Sequence, residues 1–303
     1  DIILSMKASK SELEKGILSL ILLAFVFASM GIFARYLGTG FTVFQQVYLR
    51  IYIALILTLI LFRKNIRFHK LRKATRKEWL IIALRGLLLY GIAVPLVSLA
   101  VIEAKYGNVS FLGTLPFVAL FSVVFFKERL TILKIVLIML AVVGVGFIAV
   151  REPNQLLNWG RGEVAALLSG AAFAMSYVAR KWHSDLFNNK ELTALIFAAG
   201  GTFSLLFSML DGQGIPTTWS VSLLIVLVIS ALANVANLLL TNYGFERVGN
   251  VVAGNILTLE IFFGVTIGYL LYGEKLGARE WIGGVLIVTS VILMNKYGTK
   301  QEY

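Results

Sequence analysis

The residue in this chain whose position most demands a chemical explanation is Glu260. It interrupts an apolar run, Val251 to Tyr272, that is long enough to cross a bilayer as one helix, which takes about 20 residues at 1.5 Å each. Counted from Asn250, it lies roughly 15 Å along that helix, near the midplane. A charged carboxylate at that depth costs about 2.5–3.5 kcal/mol on insertion scales. It needs a partner, a water-filled cavity or a proton, and the last makes Glu260 a candidate ion-coupling group.

A second pattern lies just upstream. Ser230, Asn234, Asn237 and Thr241 are spaced i, i+4, i+7 and i+11 within the apolar run 219–243, which places all four on one narrow stripe of a helix. Two asparagines in hydrocarbon need hydrogen-bond partners, supplied either by a neighbouring helix or by a polar solute. Four polar groups on one face exceed what one helix contact usually needs, which favours a solute cavity over interhelical glue. Ser169, Phe173, Ser176 and Arg180, with Tyr177 beside them, form a similar stripe, and Ser110, Thr114, Phe117 and Phe121 another. Mixed hydroxyl and aromatic faces suit an amphipathic organic solute, because rings give apolar or cation–π contact while hydroxyls fix orientation.

Other features leave alternatives open. Ala253, Glu260, Gly264 and Gly268 share one helix face, whereas Asn255, Thr258, Thr266 and Tyr269 share another roughly 140° away, and either could line an interior. The Gly264-x-x-x-Gly268 spacing allows a close helix contact. Arg50, with Gln46 one turn before it, reads as half of a buried ion pair, with Glu260 as one possible partner, as a hydrogen-bond anchor, or as a contact for a solute carboxylate. Arg85 is expected to snorkel to the headgroups. Pro95 and Pro116 are expected to kink their helices, either to bend during transport or as static features.

Several chemistries are excluded. There is no cysteine, hence no disulfide, thiolate metal site or cysteine nucleophile. The two histidines, His69 and His183, fall in expected loops, so no metal site and no cofactor is expected. A P-loop, a His-Glu-x-x-His motif, a nucleophile elbow and a membrane aspartate pair are all missing. The chain is therefore not expected to be an enzyme.

The elements that must hold these residues follow from hydropathy. With 58% hydrophobic and 15% charged residues and a mean hydropathy of +0.85, the chain fits a polytopic all-α membrane protein. Ten apolar runs stand out, at roughly 16–37, 43–62, 79–101, 108–126, 131–150, 162–182, 192–210, 219–243, 250–272 and 279–296, here spans 1 to 10. The first is too long for a signal-peptide core and is expected to be retained. The net charge of +12 tracks membrane sidedness rather than nucleic-acid binding: with both termini cytoplasmic, inner segments hold 20 Lys and Arg against 6 in outer loops. The basic loop from Arg63 to Glu78 fixes topology and meets anionic lipid.

The chain also repeats itself. Gly107-Asn108-Val109 answers Gly249-Asn250-Val251, and Glu128-Arg129-Leu130 answers Glu274-Lys275-Leu276, at offsets of 142 and 146. The run from Gly16 aligns with that from Gly162 at the same offset of 146. Five spans per copy is an odd number, so the second copy enters the membrane from the opposite face, giving two inverted five-helix repeats with a solute site expected between them. The expected units are 1–150 and 151–303.

Ten spans in two halves, Arg50 in span 2, the small-residue run after Tyr106, Pro116 in span 4, and the Glu128-Arg129-Leu130 and Gly273-Glu274-Lys275-Leu276 endings together resemble the EamA-type drug/metabolite transporter superfamily over nearly the whole chain. The resemblance implies a central cavity lined by spans 1, 3, 4, 6, 8 and 9, with spans 5 and 10 peripheral. On those lining spans it places Tyr90, Ser110, Thr114, Ser176, Tyr177, Asn234 and Asn237 as substrate-binding residues, beside Ser230 and Thr241 from the stripe. The chain is expected to be a secondary transporter, an exporter of a small, amino-acid-like or otherwise amphipathic metabolite, working by alternating access in the inner membrane as a monomer of two fused repeats. This sequence has Thr258 where the second repeat would carry a counterpart of Pro116, which weakens exact symmetry. The alternative reading is a flippase for a lipid or lipid-linked sugar.

Overall fold

The computed structural model describes residues 2–104, 106–150, 160–272 and 277–298. Glu274 and its neighbours in the second repeat's ending therefore lie outside the described residues, as do 151–159 of the central connection. Ten helices are long and apolar enough to cross a membrane: Ser11–Ala34, Val43–Leu61, Arg76–Glu103, Asn108–Phe126, Ile132–Ala149, Arg161–Trp182, Asn189–Leu210, Val221–Arg247, Asn250–Ile267 and Ala278–Tyr297. They match the ten expected spans, which keep their numbers. Polar residues at the boundaries start several of them. Thr42, Thr75, Thr131, Asn188 and Ser220 each accept a hydrogen bond from a first-turn backbone N–H, which satisfies donors that a helix start leaves open.

The packing follows the repeat. Span 1 lies against spans 8 and 9, and its counterpart, span 6, lies against spans 3 and 4. Spans 2 and 8 touch as spans 7 and 3 do, while the self-related pairs are span 2 with span 7 and span 5 with span 10. Equivalent glycines make equivalent approaches. A Cβ on Gly16 would fall 2.9 Å from the Arg247 Cβ and the Val248 side chain, and one on Gly162 would fall 2.7 Å from the Ala104 Cβ. Spans 5 and 10 meet backbone to backbone, where a Cβ on Gly144 would lie 2.8 Å from the Gly283 carbonyl oxygen and one on Gly283 2.5 Å from that of Gly144. Of the close contact that the Gly264-x-x-x-Gly268 spacing allows, what surrounds Gly268 lies outside the described contacts, and a Cβ on Gly264 would meet nothing within 4 Å among the described residues.

Three spans are interrupted. Span 3 passes from α-helix (Arg76–Gly86) through a π-helical stretch (Leu87–Ala93) to α-helix again (Val94–Glu103). Pro95 supplies no N–H to the turn before it. Two carbonyls of the π stretch are taken up from the other half: Ser204 Oγ donates to Tyr90 O at 2.5 Å and Ser169 Oγ to Ala93 O at 2.8 Å. Span 4 breaks between Tyr106–Gly113 and Phe117–Phe126, at Pro116, and span 9 breaks between Asn250–Leu257 and Leu259–Tyr272, at Thr258. The second break needs no proline. Thr258 Oγ1 donates to Asn255 O at 2.7 Å, as Thr114 Oγ1 donates to Ser110 O at 2.8 Å, and such back-bonding competes with the helix ladder and bends it.

Candidate functional site

The polar side chains singled out above divide into three groups. The first lies between the halves. Tyr90, in the π stretch, is 5% exposed, and Tyr177 on span 6 is 6% exposed. Tyr90 is within electrostatic range of Arg50 and Arg85, and Tyr177 of Glu260, Tyr90 and Arg85. Two arginines, two tyrosines and one carboxylate from spans 2, 3, 6 and 9 thus follow one another as neighbours, Arg50 beside Tyr90, Tyr90 beside Arg85 and Tyr177, and Tyr177 beside Glu260. Rings surround them: Tyr177 has Phe173 and Phe245 at centroid distances of 5.9 and 5.2 Å, with Phe27 of span 1 at 6.3 Å. Tyr90 packs on Phe197 of span 7 at 5.8 Å.

Glu260 and Arg50 do not form an ion pair among the described residues. Arg50 turns its Nε back to the Gln46 carbonyl oxygen of its own helix at 3.1 Å, while Glu260 is within electrostatic range of Tyr177. The two faces of span 9 therefore have different surroundings. Asn255 faces spans 5 and 10, with its Oδ1 3.1 Å from Ser290 Oγ, and Tyr269 is half exposed toward lipid.

Arg85 does not snorkel. Its side chain is wholly buried, with Nε donating to the Ser176 carbonyl oxygen at 2.9 Å and Nη2 to Asn242 Oδ1 at 2.8 Å. Ser176, also fully buried, returns its hydroxyl to the Arg85 carbonyl oxygen at 3.4 Å, so it clasps span 3. Asn242, one position outside the stripe, also bonds a neighbouring span, through its Nδ2 to Thr193 Oγ1 at 3.1 Å. Its only signal in the sequence is an isolated amide one position past Thr241.

The second group is the stripe of span 8. Ser230, Asn234, Asn237 and Thr241 are all buried, yet the bonds they make stay within their helix: Ser230 to Leu227 O, Asn234 to Ser230 O and Thr241 to Asn237 O, at 2.9, 2.8 and 2.7 Å. Asn237 Oδ1 is buried without a partner among the described residues. Interhelical glue would bond across to another span, and these side chains do not. The third group is Ser110 and Thr114. Thr114 lines a cavity of about 40 Å³ with Pro116, Asn255 and Thr258, at the two helix breaks and apart from the tyrosines. Ser110 is partly exposed on the same span.

The end of the bundle where span 1 begins and span 10 ends is held by charged groups. Glu128, closing span 4, accepts from the backbone N–H of Asn250 and of Val251 at the start of span 9, each at 3.2 Å, and pairs with Lys181 of span 6 at 3.2 Å. This gives the Glu-Arg-Leu ending a physical role, since a carboxylate is favoured at a helix N-terminus. Arg180 pairs with Glu246 at 2.8 Å and Arg247 with Glu12 at 2.8 Å. Glu78 accepts from the Ser184 N–H and Oγ and meets His183 Nδ1 at 2.5 Å. Burial, reinforced by the positive charge of Arg85, pushes the His183 imidazole down to about 4, so it is neutral at pH 7.

Ten membrane-crossing helices in two inverted halves, with polar and ionisable side chains gathered where the halves meet, define a multi-pass membrane protein of the transporter class. The EamA-like transporter family model matches residues 14–150 and again 160–296, and the chain belongs to that family. It is similar to the transporter sll1164 of Synechocystis sp., 26% identical over 79% of this chain and 72% of that one. A permease-like protein of Bacillus subtilis, YdzE, is 32% identical over 21% of this chain and 81% of its own. A crystal structure superposes with a TM-score of 0.75 at 15% identity over 92% of this chain and 96% of that chain, which establishes the likeness of fold.

Proposed function

We propose that the chain is a secondary transporter that exports a small amphipathic, amino-acid-like metabolite across the inner membrane by alternating access, as a monomer with repeat units 1–150 and 151–303. The observation that carries this reading is the succession of neighbours Arg50, Tyr90, Arg85, Tyr177 and Glu260 from four spans, with the two arginines and two tyrosines buried. Interrupted helices at matching places in the two repeats support it, because broken helices surround solute sites in transporters of this architecture. The charged clasp belongs to the cytoplasmic face, in line with the excess of Lys and Arg there. Asn234 and Asn237 contact the solute, and Glu260 is the ion-coupling group.

The test is counterflow of amino acids and related metabolites in proteoliposomes with and without a proton gradient. Wild-type protein is expected to exchange solute and respond to the gradient, and Glu260→Gln to exchange without the response. An unchanged response in that variant removes Glu260 from coupling. Scrambling of labelled lipid without exchange of any soluble compound replaces the reading with a flippase.

A further inference from the structure

Arg85 holds a charge that the protein around it does not balance. Its side chain is fully enclosed, and the two partners that it has, the Ser176 carbonyl and the Asn242 amide oxygen, are neutral. Arg180, the other arginine in its electrostatic surroundings, has its own carboxylate in Glu246. No carboxylate reaches Arg85 at salt-bridge distance among the described residues. A buried cation left in this condition is strongly unfavourable, and proteins balance such charges with a counter-ion or a bound anion.

The geometry identifies which edge of the guanidinium remains available. Nε and Nη2 form its side-on edge, and that edge is engaged. Nη1 is buried and has no partner among the described residues, and Nη2 keeps a second N–H. The end-on edge, Nη1 with Nη2, is thus a fork of parallel donors that matches the two oxygens of a carboxylate. The fork is also fixed in place. Asn242 is held by Thr193, whose hydroxyl donates to the Asn189 carbonyl oxygen at 2.7 Å, so spans 6, 7 and 8 together orient a side chain from span 3. Gly86, the next residue, lets span 3 approach this closely: a Cβ there would fall 2.8 Å from the Gly200 backbone nitrogen. A binding group held in one orientation loses little freedom when its ligand arrives.

We infer that Arg85 is the receptor for the acid group of the transported solute, taking a carboxylate on the Nη1–Nη2 edge while the Tyr177, Phe173 and Phe245 rings hold the apolar body. This rests on the transporter reading above and narrows it to solutes that carry a carboxylate. Arg85 sets specificity here, and Asn242 positions it.

The experiment is thermal unfolding of the detergent-purified protein, followed by its tryptophan fluorescence at matched ionic strength. The probes are propionate and 3-phenylpropanoate, each beside its amide, and inorganic phosphate. Both acids are expected to raise Tm saturably, the aromatic one at lower concentration, and neither amide is expected to do so. Arg85→Lys keeps the charge without the fork, so its apparent Kd for 3-phenylpropanoate should rise about tenfold or more. In Arg85→Gln the shift should vanish. Equal shifts from acids and amides, a shift that survives in Arg85→Gln, no shift from either acid, or a shift from phosphate alone would each overturn the assignment. Because the acid–amide comparison uses wild-type protein, it stands even if a variant fails to fold. Counterflow separates the two readings: exchange of neutral compounds with no acid preference leaves transport standing and removes Arg85, while acid-specific shifts without any flux do the opposite.

Discussion

Glu128 ties three spans together at the face where span 1 begins and span 10 ends, and removing it should change how often that face opens. Two backbone N–H groups donate to its carboxylate at 3.2 Å and Lys181 lies at 3.2 Å. Charge-assisted hydrogen bonds contribute roughly 1.5–3 kcal/mol each in good geometry. These are at the long end of the usual range, and a partly exposed ion pair is screened by solvent, so we take about 1–2 kcal/mol for the whole clasp, discounted on those two grounds. At about 1.4 kcal/mol per factor of ten, Glu128→Ala should raise the population open at that face roughly 5- to 30-fold. The absence of native cysteine makes the assay direct. Thr241 is 2% exposed and lies six residues before Arg247, where span 8 ends at the clasp. In a Thr241→Cys background, the rate of labelling by an impermeant maleimide on inside-out vesicles should rise by that factor, while Glu14→Ala, at an exposed position, should leave it unchanged. A rate altered less than about twofold, with the protein still folded, would refute the clasp as a gate.

Three further outcomes are expected. Gly283→Ala drives a methyl into the Gly144 carbonyl and should destabilise by about 1–3 kcal/mol, read as a lowered Tm in detergent, whereas Gly264→Ala has open space and should not; equal effects would contradict the packing. His183 is held near 4 when folded against about 6.5 unfolded, so between those values the unfolded chain binds the extra proton and stability falls as pH falls. Wild-type Tm should therefore drop more steeply than that of His183→Asn from pH 6.5 toward pH 4, and parallel slopes would show that this imidazole is not the group responsible. Asn237→Ala should weaken solute-dependent thermal stabilisation more than it lowers ligand-free Tm, since Asn237 Oδ1 has no partner to lose among the described residues; the reverse order would restore it to a packing role.

Span number and the doubled, inverted plan could be read directly, because the length of an apolar run and the positions of Lys and Arg are local properties that a bilayer converts into topology. The break in span 4 was legible through Pro116, but its counterpart at Thr258 was not, because there a hydroxyl bonding to Asn255 does what a missing N–H does in span 4. For Arg85, sequence gave depth but not direction. Whether an arginine reaches for headgroups or for its neighbours depends on which helix crosses beside it, and that is decided by the Gly86 and Gly200 approach. The four residues of the span 8 stripe are buried together. Their hydrogen bonds were not predictable, since an asparagine can satisfy itself on the preceding turn as readily as across a gap.

The backbone contact between Gly144 and Gly283 has a mechanical consequence. At a contact between an element and its own counterpart, each half meets its equal, and a tilt of one half over the other moves such a place least. Spans 5 and 10 thus sit where a hinge pin would sit, and the absence of side chains lets the pin be thin. Thickening it would shift the centre about which everything else turns, so a residue far from any solute could set the stroke of the whole machine.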